Sequence, residues 1–335
     1  VPRPLNIVLA AVAGLGAIAV ASYLAWPRDP VSRVTVNDPA QHWAREGFVE
    51  MVPPIQLPSS TADATDVVVW LRIPDDGVIQ TRWSEARAGW VLVFPPGTVA
   101  DRVEQRGSGP DRSVVDVRGT RLGEGDDEGD PPQEWMHTLR RAASGVNAPL
   151  FGYEWPRSDP AAHQRATDLL LEELATLAPA SKMSAERRDR YLASIRRKNE
   201  CASCHTHERP DNAVEGAHGL VNRGTDASGF FTPQTVLMDA VVLESYGGVD
   251  PNLSDPAVTI VCPDGTAPTH KTGKGKRVRA VCPDRGVPVA TLDHARIDAP
   301  RLTKLCRARR YLHEHLDEQG QRVFADALTP CERLE

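Results

Sequence analysis

Val67-Val68-Val69-Trp70-Leu71 is a short run of β-branched and aromatic side chains, the composition that fits a pleated, half-buried strand. Two runs of the same kind follow, Trp90-Val91-Leu92-Val93-Phe94 and Val114-Val115-Asp116-Val117. Turn-forming stretches separate them: Pro74-Asp75-Asp76-Gly77, Pro95-Pro96-Gly97 and Gly107-Ser108-Gly109-Pro110. This alternation of strand and turn signals predicts a small, mostly-β domain over residues 63–156. Within it, Gly123 to Pro132 reads as an acidic, Gly-rich loop, and Glu134 to Arg141 as one short helix.

Upstream of the β-rich part the composition changes twice. Pro27 to about Ser60 is rich in Pro, Asp and polar residues and reads as a linker, residues 29–62. Before it, Leu5 to Trp26 is almost continuous in Leu, Ile, Val, Ala and Gly, long enough to cross a hydrocarbon core as a helix. Arg3 precedes this run and Trp26 suits an interface. Residues 1–28 are therefore expected to be a transmembrane signal-anchor. The alternative is a signal cleaved near Ala19-Val20-Ala21. Either reading exports the rest of the chain, and the expected location is the inner membrane, with a single N-terminal span and the bulk of the chain periplasmic.

Downstream the period turns helical. Asp159 caps a helix with Pro160 in its first turn, and Leu169, Leu170, Leu174 and Leu177 supply its apolar face. A second helix starts at Ser184 and runs toward Cys201, with Tyr191, Leu192 and Ile195 at helical spacing. A third is expected from Thr232-Pro233 to Tyr246. A fourth opens at Pro300 and breaks at Gly320, and a last short one spans Val323 to Leu328.

The six cysteines divide into two groups. Cys262, Cys282, Cys306 and Cys331 form an even set that suits an oxidising compartment. The pairings Cys262–Cys282 and Cys306–Cys331 each close a short local loop. The other two lie in Cys201-Ala202-Ser203-Cys204-His205. Two thiols at this spacing add to the two vinyl groups of haem as thioethers, and the His that follows ligates the iron from the proximal side. A zinc site would need a second Cys/His pair at ligand spacing, which the sequence lacks. A thioredoxin-like site would need a strand before the motif, where a helix is expected instead. One covalently held haem c follows, bound by Cys201, Cys204 and His205.

A helix ending just before Cys-x-x-Cys-His, then a loop, then further helices, resembles a class I cytochrome c domain over about Asp159 to Pro251. The resemblance implies a sixth iron ligand from a downstream Met, and Met238 is the Met that follows the motif. Val236, Leu237, Ala240, Val241 and Val242 surround it, so core packing is an equal use for it. His218, flanked by Gly216 and Gly219, is the second choice. An open sixth position is the third possibility.

Other groups carry less. Phe230, Phe231 and Tyr246 could pack on a porphyrin or fill a core. Arg223 and Arg277 could meet haem propionates. The basic run Lys271 to Arg279 could dock an acidic redox partner or remain a solvated loop. His313 and His315 are two apart on a helix and point to different sides. The net charge of −6 argues against a nucleic-acid partner.

The expected fold is multidomain α+β: an N-terminal transmembrane helix, a small mostly-β domain, a mainly α-helical cytochrome c-like haem domain (157–255), and a disulfide-containing C-terminal extension (256–335). The expected function is electron transfer with redox partner proteins, either free or within a larger respiratory or photosynthetic membrane complex. No catalytic residue is expected. The alternatives are a haem sensor or haem enzyme with an open sixth site, or a structural accessory subunit.

Overall fold

The computed structural model describes residues 30–57, 64–84, 89–107, 111–123, 133–143, 145, 147–199, 231–242, 255–272, 278–283 and 288–334. Its N-terminal half builds β1 (Ser32–Val36), the short helix α1 (His42–Arg45), β2 (Val49–Met51), β3 (Asp66–Arg72), β4 (Gln80–Ser84), β5 (Gly89–Val93), β6 (Val99–Arg106), β7 (Ser113–Leu122), β8 (Glu134–Arg141) and β9 (Leu150–Pro156). Seven of these strands form one antiparallel sheet in the order β1-β9-β8-β7-β6-β3-β2, and β4 pairs with β5 as a separate hairpin.

Successive side chains of a strand point to opposite faces, so the register assigns every residue to one side. On the first face Val103, Val117 and Leu139 are cross-strand partners. With Val36, Val99 and Leu150 they form a core closed by Trp43 of α1 and by Phe48. The second face is covered at its two ends by different helices. Helix α2 (Pro160–Thr176) sets Ala162 and Ala166 on Met136 and Trp155. Leu170 and Leu174 of α2, with Ile195 of α3 (Ala185–Lys198), close over Phe151. Asp159 caps α2 by accepting from the backbone N–H of Ala161 and Ala162 at 2.9 and 3.0 Å, with Pro160 in the first turn.

The other end of this face holds the largest core. After α4 (Phe231–Met238) come four-residue and shorter strands: β10 (Ala240–Val242), β11 (Val258–Val261), β12 (Thr269–Thr272), β13 (Val278–Val281) and β14 (Val289–Leu292). Strands β10, β14 and β11 make a three-stranded sheet, and β12 pairs with β13. Helix α5 (Ala299–His315), capped by Asp298, places Leu305, Ala308 and Leu312 against Met51, Val69 and Leu71. Polar bonds fix the same junction: Tyr311 Oη accepts from Ile73 N at 2.7 Å, and Asp317 accepts from Thr81 N at 2.8 Å. Helix α6 (Glu318–Val323) and a 3-10 segment (Ala325–Leu334) finish the chain.

Several expectations need correction. The expected multidomain α+β fold with a mainly α-helical haem domain is replaced by a mostly-β structure built on the seven-stranded sheet, with few helices among the described residues. Glu134–Arg141 is strand β8, because its alternate residues pair on both sides with β7 and β9. Residues 30–57, read as linker, supply α1 and both edge strands of the sheet, β1 and β2. The helix expected to reach Tyr246 ends at Met238, where Asp239 takes φ +55° and the chain turns into β10. Gly320 lies inside α6, and the break comes at Leu316, before the cap Asp317. The expected span Leu5–Trp26 lies outside the described residues. Among those described, no helix is long and apolar enough to cross a membrane. The single N-terminal span and the inner-membrane placement built on it thus find no support and are withdrawn.

Candidate functional site

The residues expected to hold haem divide between described and undescribed parts of the chain. Cys201, Cys204, His205 and His218 lie outside the described residues, as do Arg223, Phe230, Tyr246 and Arg277. The four remaining cysteines are bridged, Cys262 to Cys282 and Cys306 to Cys331. With six cysteines in the chain, the pair left over is Cys201 and Cys204.

The chain leading into the motif is firmly anchored. Asn199, at the end of α3, is 1% exposed. Its side-chain amide donates to Thr167 Oγ1 at 2.7 Å, and its carbonyl accepts from His163 Nε2 at 2.8 Å. The His163 ring in turn stacks on Trp155 at 4.9 Å. The amide-nitrogen bond to Thr167 and the carbonyl bond from His163 hold Asn199 from two sides. Cys201 follows Asn199 by two residues, at most about 7 Å of chain. The last described residue before the motif is therefore held above the β8–β9 end of the second face.

The chain re-enters the described structure at α4. Met238 is half-buried at its end, packs against the largest core, and its Sδ lies 3.7 Å from Gln234 Nε2. Asp239, next in sequence, pairs with the fully buried Arg309 and stands 2.7 Å from His294 Nε2. Arg309 also donates to the carbonyls of Val236 at 3.1 Å and Ala327 at 2.8 Å. Burial lowers its pKa to about 10. This arginine ties α4 to the C-terminal segment, and its fork satisfies the carbonyls that a helix end leaves open.

Two charged clusters sit on the sheet itself. On the first face, the buried Asp101 accepts from Trp43 Nε1 at 2.7 Å and from His137 Nε2 at 2.8 Å. Gly119 makes the space: a Cβ there would stand 2.2 Å from both Asp101 Oδ1 and His137 Nε2. Burial acts to raise the Asp101 carboxyl, but His137 and Trp43 together hold it below the ordinary carboxylate range. Burial acts to lower the His137 imidazole, yet Asp101 lifts it above its ordinary value. Between those limits the two form an imidazolium–carboxylate pair.

On the second face, Asp116 lies across from Glu104 on one side and Arg140 on the other, while Arg118 lies across from Arg102 and Thr138. Asp116 is fully buried and is the ion-pair partner of both Arg118 and Arg140. Arg102 pairs with Glu104. Arg118 Nε and Nη2, Arg140 Nε and Nη2, Thr138 Oγ1 and both Asp116 oxygens are buried without hydrogen-bond geometry, although Asp116 lies within ion-pair distance of Arg118 Nε and of Arg140. The sequence reading missed this cluster. Asp116, in the middle of a valine run, was its one visible signal.

Among the described residues, no group of three or more His, Cys, Asp or Glu side chains could hold a metal ion. No protein-family model matches the chain, and neither a curated protein nor a solved structure is detectably similar to it.

Proposed function

We propose that this chain carries one haem c, attached through thioethers at Cys201 and Cys204 with His205 as proximal ligand, and that it passes electrons between redox partner proteins. The observation that carries the reading is the use of cysteine. The two disulfides take four thiols out of play, and the pair left over has the spacing, and the following His, that haem attachment requires. When bound, haem supplies one-electron chemistry whose potential depends on its axial ligands and surroundings. The polypeptide's part is to fix the attachment segment. Asn199, His163 and Trp155 hold its start, and Arg309 with Asp239 holds the chain where α4 resumes. The orphaned donors of Arg118 and Arg140 fit an acidic cofactor. The resemblance to class I cytochromes is limited to the motif, since the surrounding fold is mostly β.

One observation favours a second reading. Met238 packs into the core beside Gln234, which competes with a role as sixth ligand. With His218 in that position the iron would still have two axial ligands and carry electrons; with the position open, the protein would be a haem sensor or haem enzyme. Absorption spectra of the purified full chain decide between the two. A low-spin reduced spectrum unchanged by CO is expected for the electron carrier. A high-spin spectrum that shifts with CO would transfer the assignment to the second reading.

A further inference from the structure

We propose that Arg118 and Arg140 form the seat for the propionate carboxylates of the haem, an inference that rests on the haem-attachment reading above. Their placement follows from register. Both lie in the middle of the second face, between the α2–α3 layer over Met136, Trp155 and Phe151 and the α5 layer over Val69 and Leu71. The described chain leaves this face on one flank at Asn199 and returns on the other at α4. Trp155, which helps fix Asn199 through His163, pairs with Met136. Arg140 is four residues along β8 from Met136, about 13 Å at strand rise. Asn199, the last described residue before the motif, is thus anchored over the same face that carries both guanidinium groups.

The chemistry selects an anion. Asp116 is one carboxylate shared by two arginines, while Arg102 already has Glu104. The Arg118–Asp116–Arg140 group therefore carries one positive charge in excess. It also keeps three guanidinium nitrogens and the Thr138 hydroxyl unpartnered in a buried position, among the described residues. Buried donors without acceptors are costly, and a buried charge is costlier still. A planar guanidinium fork matches a carboxylate in two-point fashion. The cofactor proposed for this chain brings two carboxylates with it. Asp101 and His137, on the opposite face, have no such vacancy, since each satisfies the other.

The test uses the full chain loaded with haem, in four variants: Arg118→Gln, Arg140→Gln, Arg140→Lys, and the double substitution Asp116→Asn with Arg140→Gln. The double variant removes one charge of each sign, so the site keeps its excess of one positive charge if Arg140→Gln alone folds poorly. The readouts are the midpoint potential and the redox-difference infrared bands of haem carrying isotope-labelled propionates. Expected is a lower potential in both single Gln variants, because loss of a nearby cation favours the ferric form, with partial return in Arg140→Lys. Shifted carboxylate bands are expected in every variant that removes a guanidinium. Haem-loaded, folded variants with wild-type potential and bands would overturn this inference alone. A wild-type chain without covalent haem would overturn the functional reading and this inference with it.

Discussion

The two faces of the seven-stranded sheet each bury charge, and they do so in opposite ways. On the first, Asp101, His137 and Trp43 form a closed set in which the carboxylate is used on both oxygens and Gly119 leaves room for nothing else. On the second, Asp116 is divided between Arg118 and Arg140, and donors remain unused. A closed network specifies a fold. An open one with an excess cation favours an anionic ligand, because unmet buried donors are costly until something completes them.

Breaking the closed face should give the largest effect. Asp101→Ala leaves a buried imidazole and an indole N–H without their acceptor, and is expected to cost about 3–5 kcal/mol in urea unfolding. A loss below ~1 kcal/mol would mean the pair is not buried as described. The disulfide Cys306–Cys331 comes next. Replacing both cysteines by Ser releases a local loop and should cost about 3 kcal/mol by the same measurement.

The pH dependence sharpens the contrast. The raised folded pKa of His137 stabilises the protein below the unfolded imidazole value, and this gain fades as pH climbs through the folded value. The depressed folded pKa of Asp101 stabilises above the unfolded carboxyl value, and this gain fades as pH falls through the folded one. Stability should therefore peak between the two titrations, and His137→Gln should flatten the alkaline arm in chemical unfolding at stepped pH. An alkaline arm as steep as wild type would assign that slope to other groups.

The smallest effect is expected on the open face. Replacing Asp116, Arg118 and Arg140 together by Leu, Met and Met in the haem-free chain removes the whole half-satisfied group without stranding a charge, and should be within ~1 kcal/mol of neutral or stabilising. A cost comparable to that of Asp101→Ala would make this cluster a structural network like its counterpart.

Sequence reading reached β3, β5 and β7 because valine runs between Pro/Gly turns have few other uses. It reached α2, α3 and α5 through Asp159, Ser184 and Pro300 at their starts. It missed β8 because Met136, Leu139 and Arg140 are sound helix formers locally, and only pairing with β7 and β9 overrides that preference. Strands β1 and β2 were hidden in a polar stretch because edge strands bond on one side and need little apolar character. The two bridged pairs in the structure are those that short loop closure favoured. The attachment motif is legible because its chemistry is local. The arginine seat is not, because Arg118 and Arg140 meet only through strand register.

Intact-mass analysis of the full chain, purified from cells that make and attach haem, tests the central claim most directly. One haem added per chain, surviving denaturation and lost in the Cys201→Ser, Cys204→Ser double variant, is the expected result. A wild-type chain at its bare polypeptide mass, with Cys201 and Cys204 both free, would contradict it.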